Sequence, residues 1–304
     1  MNKRKMTGNL LLLFTAMIWG TSFVFQRVGM DNIGPITFSA ARMVLSAVAV
    51  SAVAFLPELF TKKGSPKNGE DEVLIKRNTL RGGVLCGIFL AGGTLLQQVG
   101  VVYTSAGKAG FITAMYMLLV PVVNFLLFKK KNNLRVWLAV LIGVCGMYLL
   151  CVTEGFTLTL GDTLICLCAF MFCGHILCCD HYAPCGDAVK ISAIQFIVSA
   201  LICIVFAFAI ETPAADQIVS AAVPILYCGL ISGGLGFTLQ IIAQKFTDPT
   251  IASLLMSLES VFAVLAGALL LGERMSSREL LGCIVMFAAI ILVQLPERKK
   301  TTGI

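Results

Sequence analysis

The chain has 304 residues, of which 58% are hydrophobic and 13% charged, with 23 Lys and Arg against 16 Asp and Glu; its mean hydropathy is +0.92. A soluble chain is about one quarter charged, and 39 charges cannot cover a water-facing surface of this size, so a soluble globular enzyme is excluded. Apolar stretches of about 20 residues each cross a bilayer, and the chain is long enough for roughly ten of them joined by short loops.

Ten such stretches are predicted, near residues 9–28, 35–56, 82–102, 109–128, 134–153, 161–179, 189–210, 218–243, 250–271 and 278–295. They are apolar all round and rich in Leu, Ala, Gly and Ile, which argues for helices over alternating barrel strands. The first follows Lys3, Arg4 and Lys5 but lacks an A-x-A cleavage pattern, so it is read as retained. Between the second and third, Lys62 to Asn78, with Gly64, Ser65, Pro66, Gly69 and a Glu70-Asp71-Glu72 run, is predicted to be a mobile cytoplasmic connection within a loop at about 57–80.

Basic residues in short loops resist translocation and so report orientation. With the N-terminus inside, eighteen Lys and Arg fall on the cytoplasmic side and four, Arg27, Lys108, Arg274 and Arg278, on the other. Both termini are therefore expected in the cytoplasm of a cell with the chain in its inner or plasma membrane. The net charge of +7 is read as an orientation signal with lipid contacts, with no nucleic-acid partner.

Two constant shifts relate the halves of the chain. A shift of 153 aligns Gly8 with Gly161, Ala16 with Ala169 and Ser46 with Ser199, and sets Arg42 against Gln195 and Ser22 against His175. A shift of 143 aligns Gly93 with Gly236, Gln97 with Gln240 and Arg135 with Arg278, and sets Tyr116 against Glu259. The halves are residues 1–153 and 154–304, with five spans each. An odd number of spans inserts the second half upside down, so the predicted fold is an all-α integral membrane protein of ten transmembrane helices in two inverted five-helix repeats. Inverted repeats build alternating-access transporters with a midplane site. No GxxxxGK[ST] loop is present to power a pump with ATP.

Three segments carry a family resemblance: Trp19-Gly20-Thr21-Ser22-Phe23, Ala41-Arg42, and Pro249 through Ser257-Leu258-Glu259 to Leu271-Gly272-Glu273, the last with its repeat partner Tyr103-Thr104-Ser105-Ala106 to Val120-Pro121. In these the chain resembles the drug/metabolite transporter superfamily and most closely its ten-helix EamA exporters. The resemblance implies a secondary transporter, an exporter of small organic molecules such as amino acids, metabolites or drugs, driven by protons or exchange and without enzymatic activity. A lipid or isoprenoid-carrier flippase, or an uptake permease of the same fold, is the alternative. Ser260 stands where the family often has Pro, which predicts a straighter helix there.

Arg42 and Glu259 are charges deep inside spans, which makes each a functional candidate. Glu259 is read either as a coupling or substrate-binding carboxyl, or as a structural group capping a broken helix or pairing with Arg42. Arg42 keeps its proton and either binds a substrate carboxylate or locks the packing. Around them, Trp19, Ser22, Gln97, Tyr116, His175, Gln195 and Gln240 complete the candidate substrate cavity, with the Gln97/Gln240 and Tyr116/Glu259 pairs expected at opposite ends or sides of it. Gln26, Gln98, Asn124 and Gln244 are further polar groups needing partners in hydrocarbon. Trp19 and Tyr103 are also candidates for an interfacial belt. The Gly92-Gly93 and Gly233-Gly234-Leu235-Gly236 stretches read as packing surfaces or as gating kinks.

The 12 cysteines, dense around Cys166 to Cys185, match no zinc spacing and read as small apolar packing residues. No cofactor and no metal are expected. The partners are a small-molecule substrate and the lipid bilayer, with a homodimer left open.

Overall fold

The spans carry their polar side chains inward. Arg42, Gln97, Gln98, Asn124, His175, Gln195, Gln240 and Glu259 are all buried, whereas large apolar residues such as Val53, Phe208 and Leu269 are exposed. Lipid faces the outer surfaces of such a bundle, and only neighbouring helices can satisfy the polar groups within it. In the computed structural model the described residues are 3–31, 33–60, 69–103, 106–151, 159–272 and 276–295. Lys62, Lys63 and Lys67, Thr104 and Ser105, Glu273 and Arg274, and Arg298 to Lys300 lie outside them.

Among the described residues every element is helical. In chain order they are α1 Lys3–Gly29, α2 Pro35–Phe60, α3 Gly69–Gly100, α4 Ala106–Ala114, α5 Tyr116–Phe128, α6 Leu134–Cys151, α7 Leu160–Tyr182, α8 Ala188–Ile210, α9 Ala215–Ser220 and α10 Ala222–Leu226. A π-helical segment follows, Tyr227–Phe237, and then α11 Thr238–Gln244, α12 Pro249–Met256, α13 Glu259–Leu271 and α14 Ser277–Gln294. Among the described residues eight spans are long and apolar enough to cross a membrane, with α4–α5, α10–α11 and α12–α13 each counted as one. The two 18-residue helices α6 and α14, packed on each other, bring the number of crossings to ten.

Among the described residues, contacts near the helix ends gather alternate connections at opposite ends of the bundle. At one end, Asp187 N–H donates to Thr79 Oγ1 (2.9 Å), Lys130 pairs with Asp180 (3.3 Å), Arg135 Nη1 donates to the Leu295 carbonyl (2.8 Å) and Thr247 Oγ1 donates to Asn9 Oδ1 (3.0 Å). At the other end the Glu211 carboxylate, at the C-terminus of α8, accepts from the Ile36 and Thr37 N–H groups at 3.0 and 2.8 Å and from the Thr37 hydroxyl. It thereby satisfies amides at the start of α2 that no helical carbonyl can reach.

The repeats interleave. The most extensive packing is α3 on α7 and α8, α2 on α8, α6 on α14, and α1 on α13, and each of these pairs joins one half of the chain to the other. The matched pairs recur across a pseudo-two-fold axis: α3 against α7 mirrors the π segment and α11 against α1, and α5 against α7 mirrors α13 against α1. No seam separates two five-helix blocks.

Two expectations are corrected here, on the connection before α3 and on the ninth span, and the eighth span gains a detail. Residues 69–78 of the predicted mobile connection are helical and open α3, where Asp71 and Glu72 suit the positive helix end and Glu72 pairs with Lys76 one turn on (2.6 Å). The eighth span is π-helical through its Gly-rich stretch, and there Gly229 and Gly233 bring its backbone so close to α2 that an added Cβ would strike Leu45 or Ser46, as the packing reading of these glycines expects. The ninth span is interrupted despite Ser260. Leu258, at φ −61° and ψ −10°, donates only to Leu255 O, and its repeat partner Met115, at φ −59° and ψ −12°, donates to Ile112 O. These tightened 3₁₀-type turns need no proline.

Candidate functional site

The two tightened turns deliver Tyr116 and Glu259 as the first residues of α5 and α13, side by side at the pseudo-two-fold axis. Tyr116 Oη donates to Glu259 Oε1 at 3.1 Å, and both side chains are buried. The repeat-matched pair therefore meets directly, where the sequence placed its members at opposite ends or sides of the cavity. A residue on the axis faces its own counterpart, whereas one away from it does not.

Above this pair lies a cavity with about 640 Å³ of space between side chains, counting its opening. Trp19, Arg42, Gln97, Tyr116, His175, Gln240 and Glu259 border it. Ser22 and Gln195, the two remaining candidates, sit behind that lining. Ser22 Oγ lies 3.4 Å from Cys228 Sγ and accepts from Gln26 Nε2 (3.3 Å), while Gln195 Oε1 holds His175 Nε2 at 2.9 Å. Phe23, named only within the Trp19–Phe23 family segment, also lines the space, as do Phe172, Ser232 and Phe237, and none of the four is a cavity candidate from the sequence. A signal was present, since the shifts of 153 and 143 pair Trp19 with Phe172, Phe23 with Ile176 and Thr94 with Phe237, and all six border the cavity.

The Trp19-Gly20-Thr21-Ser22-Phe23 segment of α1 becomes intelligible here. Trp19 Nε1 donates to the Ser232 carbonyl (3.1 Å) in the π segment, and its ring lies 4.6 Å from that of Phe237. Gly20 lets α1 touch the α13 turn, because a Cβ there would come within 2.6 Å of Glu259 O. Phe237 also meets His175 edge-on at 5.6 Å, which makes one aromatic wall. Trp19 thus borders the cavity, whereas Tyr103 is exposed and not among its lining residues.

Arg42 and Glu259 are not partners. Arg42 Nη2 donates to Gln98 Oε1 (3.3 Å), its guanidinium lies 5.7 Å from the Phe38 ring, and its Nε is buried without a partner. Among the described residues no carboxylate pairs with it. Cys228 is a further side-chain partner, so the guanidinium is held by neutral groups and its charge is not balanced by a described carboxylate, which disposes it to take an anion. Across the cavity, Gln240 donates through Nε2 to Gln244 Oε1 (3.0 Å) and leaves its own Oε1 unpartnered, an acceptor for a ligand donor. Gln97 Nε2 reaches Thr113 Oγ1 at 3.3 Å. The site therefore offers a fixed positive group, a carboxyl able to exchange a proton, free amide capacity and an aromatic wall. That combination can hold a small polar organic molecule.

The chain matches the family model described as the EamA-like transporter family over residues 6–152 and again over 159–295. A relative from Archaeoglobus fulgidus, described as an uncharacterized transporter, is 27% identical over 297 residues, spanning 96% of this chain and 87% of its own. The uncharacterized transporter YoaV of Bacillus subtilis is 21% identical over 287 residues, spanning 92% and 94% of the two chains. A solved crystal structure superimposes with a TM-score of 0.75 over 94% of this chain and 96% of that one, at 15% identity, which shows likeness of fold alone. Matched in both of its halves, the chain belongs to the EamA-like transporter family within the drug/metabolite transporter superfamily, and is a multi-pass membrane transporter.

Proposed function

We propose that the protein is a secondary exporter of small organic molecules that carry an anionic group, binding them between Arg42 and Glu259 in the central cavity. The observation that supports this reading most is the buried, carboxylate-free guanidinium of Arg42 on the cavity wall. Its positive charge selects the anion, while the Gln240 acceptor and the aromatic wall of Trp19 and Phe237 receive the rest of the solute.

Glu259 couples the cycle by exchanging a proton with the cavity as the solute arrives or leaves, and Tyr116 holds its carboxyl on the axis. Because the repeats interleave, alternating access is achieved by matched helix pairs opening and closing in turn, α1 with α13 and the π segment on one side and α7 with α5 and α3 on the other. Rigid rocking of two sequence halves would have to break the most heavily packed contacts in the molecule. The end that carries Lys130 and Arg135 faces the cytoplasm, with both chain termini, in the inner or plasma membrane.

The test compares metabolites in the medium of overexpressing and deletion cells. Enriched compounds are then offered to purified protein in liposomes under an imposed pH gradient. Wild type moves at least one acidic solute and Glu259→Gln loses gradient-driven movement. Movement of neutral solutes only, or a Glu259→Gln variant indistinguishable from wild type, would contradict the assignment.

A further inference from the structure

Repeat symmetry sets a second polar cluster opposite the Arg42 site. The shift of 153 pairs Ser22 with His175, Gln26 with Cys179 and Arg42 with Gln195. In the first repeat these positions supply a cation, Arg42; in the second they supply an imidazole and a thiol, and Cys179 Sγ lies 3.7 Å from Cys86 Sγ and 3.8 to 3.9 Å from the two ring nitrogens of His175. The three potential donor atoms all lie within 4.8 Å of one another, and the three residues are buried.

We propose that Cys86, Cys179 and His175 form a binding site for a thiophilic d¹⁰ cation of the Zn(II) or Cu(I) class. Bonds of about 2.3 Å to sulfur at the tetrahedral angle hold two sulfurs about 3.8 Å apart, and a nitrogen at about 2.0 Å stands about 3.5 Å from each. The Cys86–Cys179 separation of 3.7 Å already matches the first of these, and a His175 ring nitrogen lies within 4.8 Å of both sulfurs. Two thiolates and an imidazole are the soft donor set that selects such ions over Mg(II) or Ca(II).

The surroundings prepare the same chemistry. Gln195 Oε1 can only accept, so His175 Nε2 carries the hydrogen of that 2.9 Å bond and Nδ1 presents its lone pair. An oxygen acceptor fixing the second nitrogen of a ligand imidazole, more often a carboxylate or backbone carbonyl than the amide oxygen found here, is the usual outer support of a metal site. The α3–α7 seam that carries the cluster is held tightly together: a Cβ at Gly82 would strike Tyr182, and one at Gly174 would strike Phe89. Cys86 and Cys179 are thereby kept in register on opposing helices. His175 also borders the central cavity, which gives an ion and a fourth donor a route to the site.

Binding replaces one proton on each thiol with the ion, and both protons are released to solution. With Zn(II) the site becomes neutral, as burial in a membrane interior favours; with Cu(I) it carries a single negative charge. Either ion would pin α3 to α7 and hold His175 in the cavity wall, so occupancy restrains the transporter. The site stands whether or not the exported solute is an anion, since its test reads ion binding alone.

Full-length protein, stripped of metal and kept reduced in detergent, is titrated with Co(II) as a spectroscopic substitute for Zn(II), and separately with Cu(I) against a chromogenic chelator. One ion per chain is expected, with a thiolate-to-cobalt charge-transfer band that Zn(II) abolishes. Cys86→Ser and Cys179→Ser each weaken binding more than about 10-fold, and Gln195→Ala, which leaves every donor in place, weakens it about 10-fold. Cys166→Ser, at an exposed position, leaves it unchanged. Absence of binding by both ions under reducing conditions overturns the proposal, even if Cys86 and Cys179 close into a disulfide on oxidation. Binding that survives the Cys86→Ser/Cys179→Ser double variant, folded by its melting curve, overturns it as well.

Discussion

Replacing Arg42 with Met keeps most of the side chain's length and removes its charge. The guanidinium is disfavoured at a helix centre by about 2.5 to 3.5 kcal/mol on the insertion scale. Against that, the substitution gives up the 3.3 Å hydrogen bond to Gln98, a charge-assisted contact worth about 1.5 to 3 kcal/mol, and the stacking on Phe38, worth about 0.5 to 1 kcal/mol. These magnitudes nearly cancel, so Arg42→Met is expected to change the melting temperature of the purified protein little. Had Arg42 been half of a buried ion pair, breaking it would destabilise the fold by about 3 to 5 kcal/mol. Binding of an anionic solute should fare differently, since removing one member of a desolvated charge pair loses about 2 kcal/mol or more, at least about 30-fold in affinity. The assay is paired: thermal unfolding of the detergent-solubilised variant, and transport in vesicles. A steep loss of melting temperature would mean that Arg42 is structural, and unchanged transport would mean that it does not meet the solute.

Other substitutions separate the parts of the structure. Glu259→Gln should retain solute exchange between the two faces of a vesicle while losing accumulation against a pH gradient; preserved accumulation would remove Glu259 from coupling. Glu211→Gln presents a donor to three donors at the start of α2 and should lower stability by about 1 to 3 kcal/mol, read as a reduced melting temperature with transport per folded molecule intact. Gly20→Ala forces a methyl to within 2.6 Å of Glu259 O and 2.8 Å of Ala263 N, so it should destabilise by about 1 to 3 kcal/mol and impair transport together; a neutral outcome would mean that the α1–α13 contact is looser than described.

The ten crossings and the duplication were legible because each leaves a mark along the chain: apolar length for a span, a constant shift for a repeat. Arg42 and Glu259 stood out because charge is rare in hydrocarbon. What stayed hidden depends on distance to the symmetry axis or on backbone hydrogen bonding. Pairing Tyr116 with Glu259 by shift says that they are equivalent, and only packing brings them to 3.1 Å. The π segment reads in sequence as ordinary small-residue packing, since Gly229 and Gly233 serve a close α2 contact in either helix type. Cys86 lies 93 residues from Cys179, beyond any local metal-ligand spacing, so the cluster with His175 emerges only when α3 meets α7. The opening of α3 at Gly69 was missed because Gly and a charged run resemble a linker until the helix dipole and the Glu72–Lys76 pair are considered.

The central claim is that one solute is held between Arg42 and Glu259 and carried across the membrane. Efflux of a labelled acidic solute from vesicles containing wild type, Arg42→Met or Glu259→Gln, each at equal folded density, tests it most directly. Wild type should release the solute faster when an opposing proton gradient is imposed, Arg42→Met should release almost none, and Glu259→Gln should release it at a rate indifferent to the gradient. Equal, gradient-dependent efflux from all three would contradict the claim.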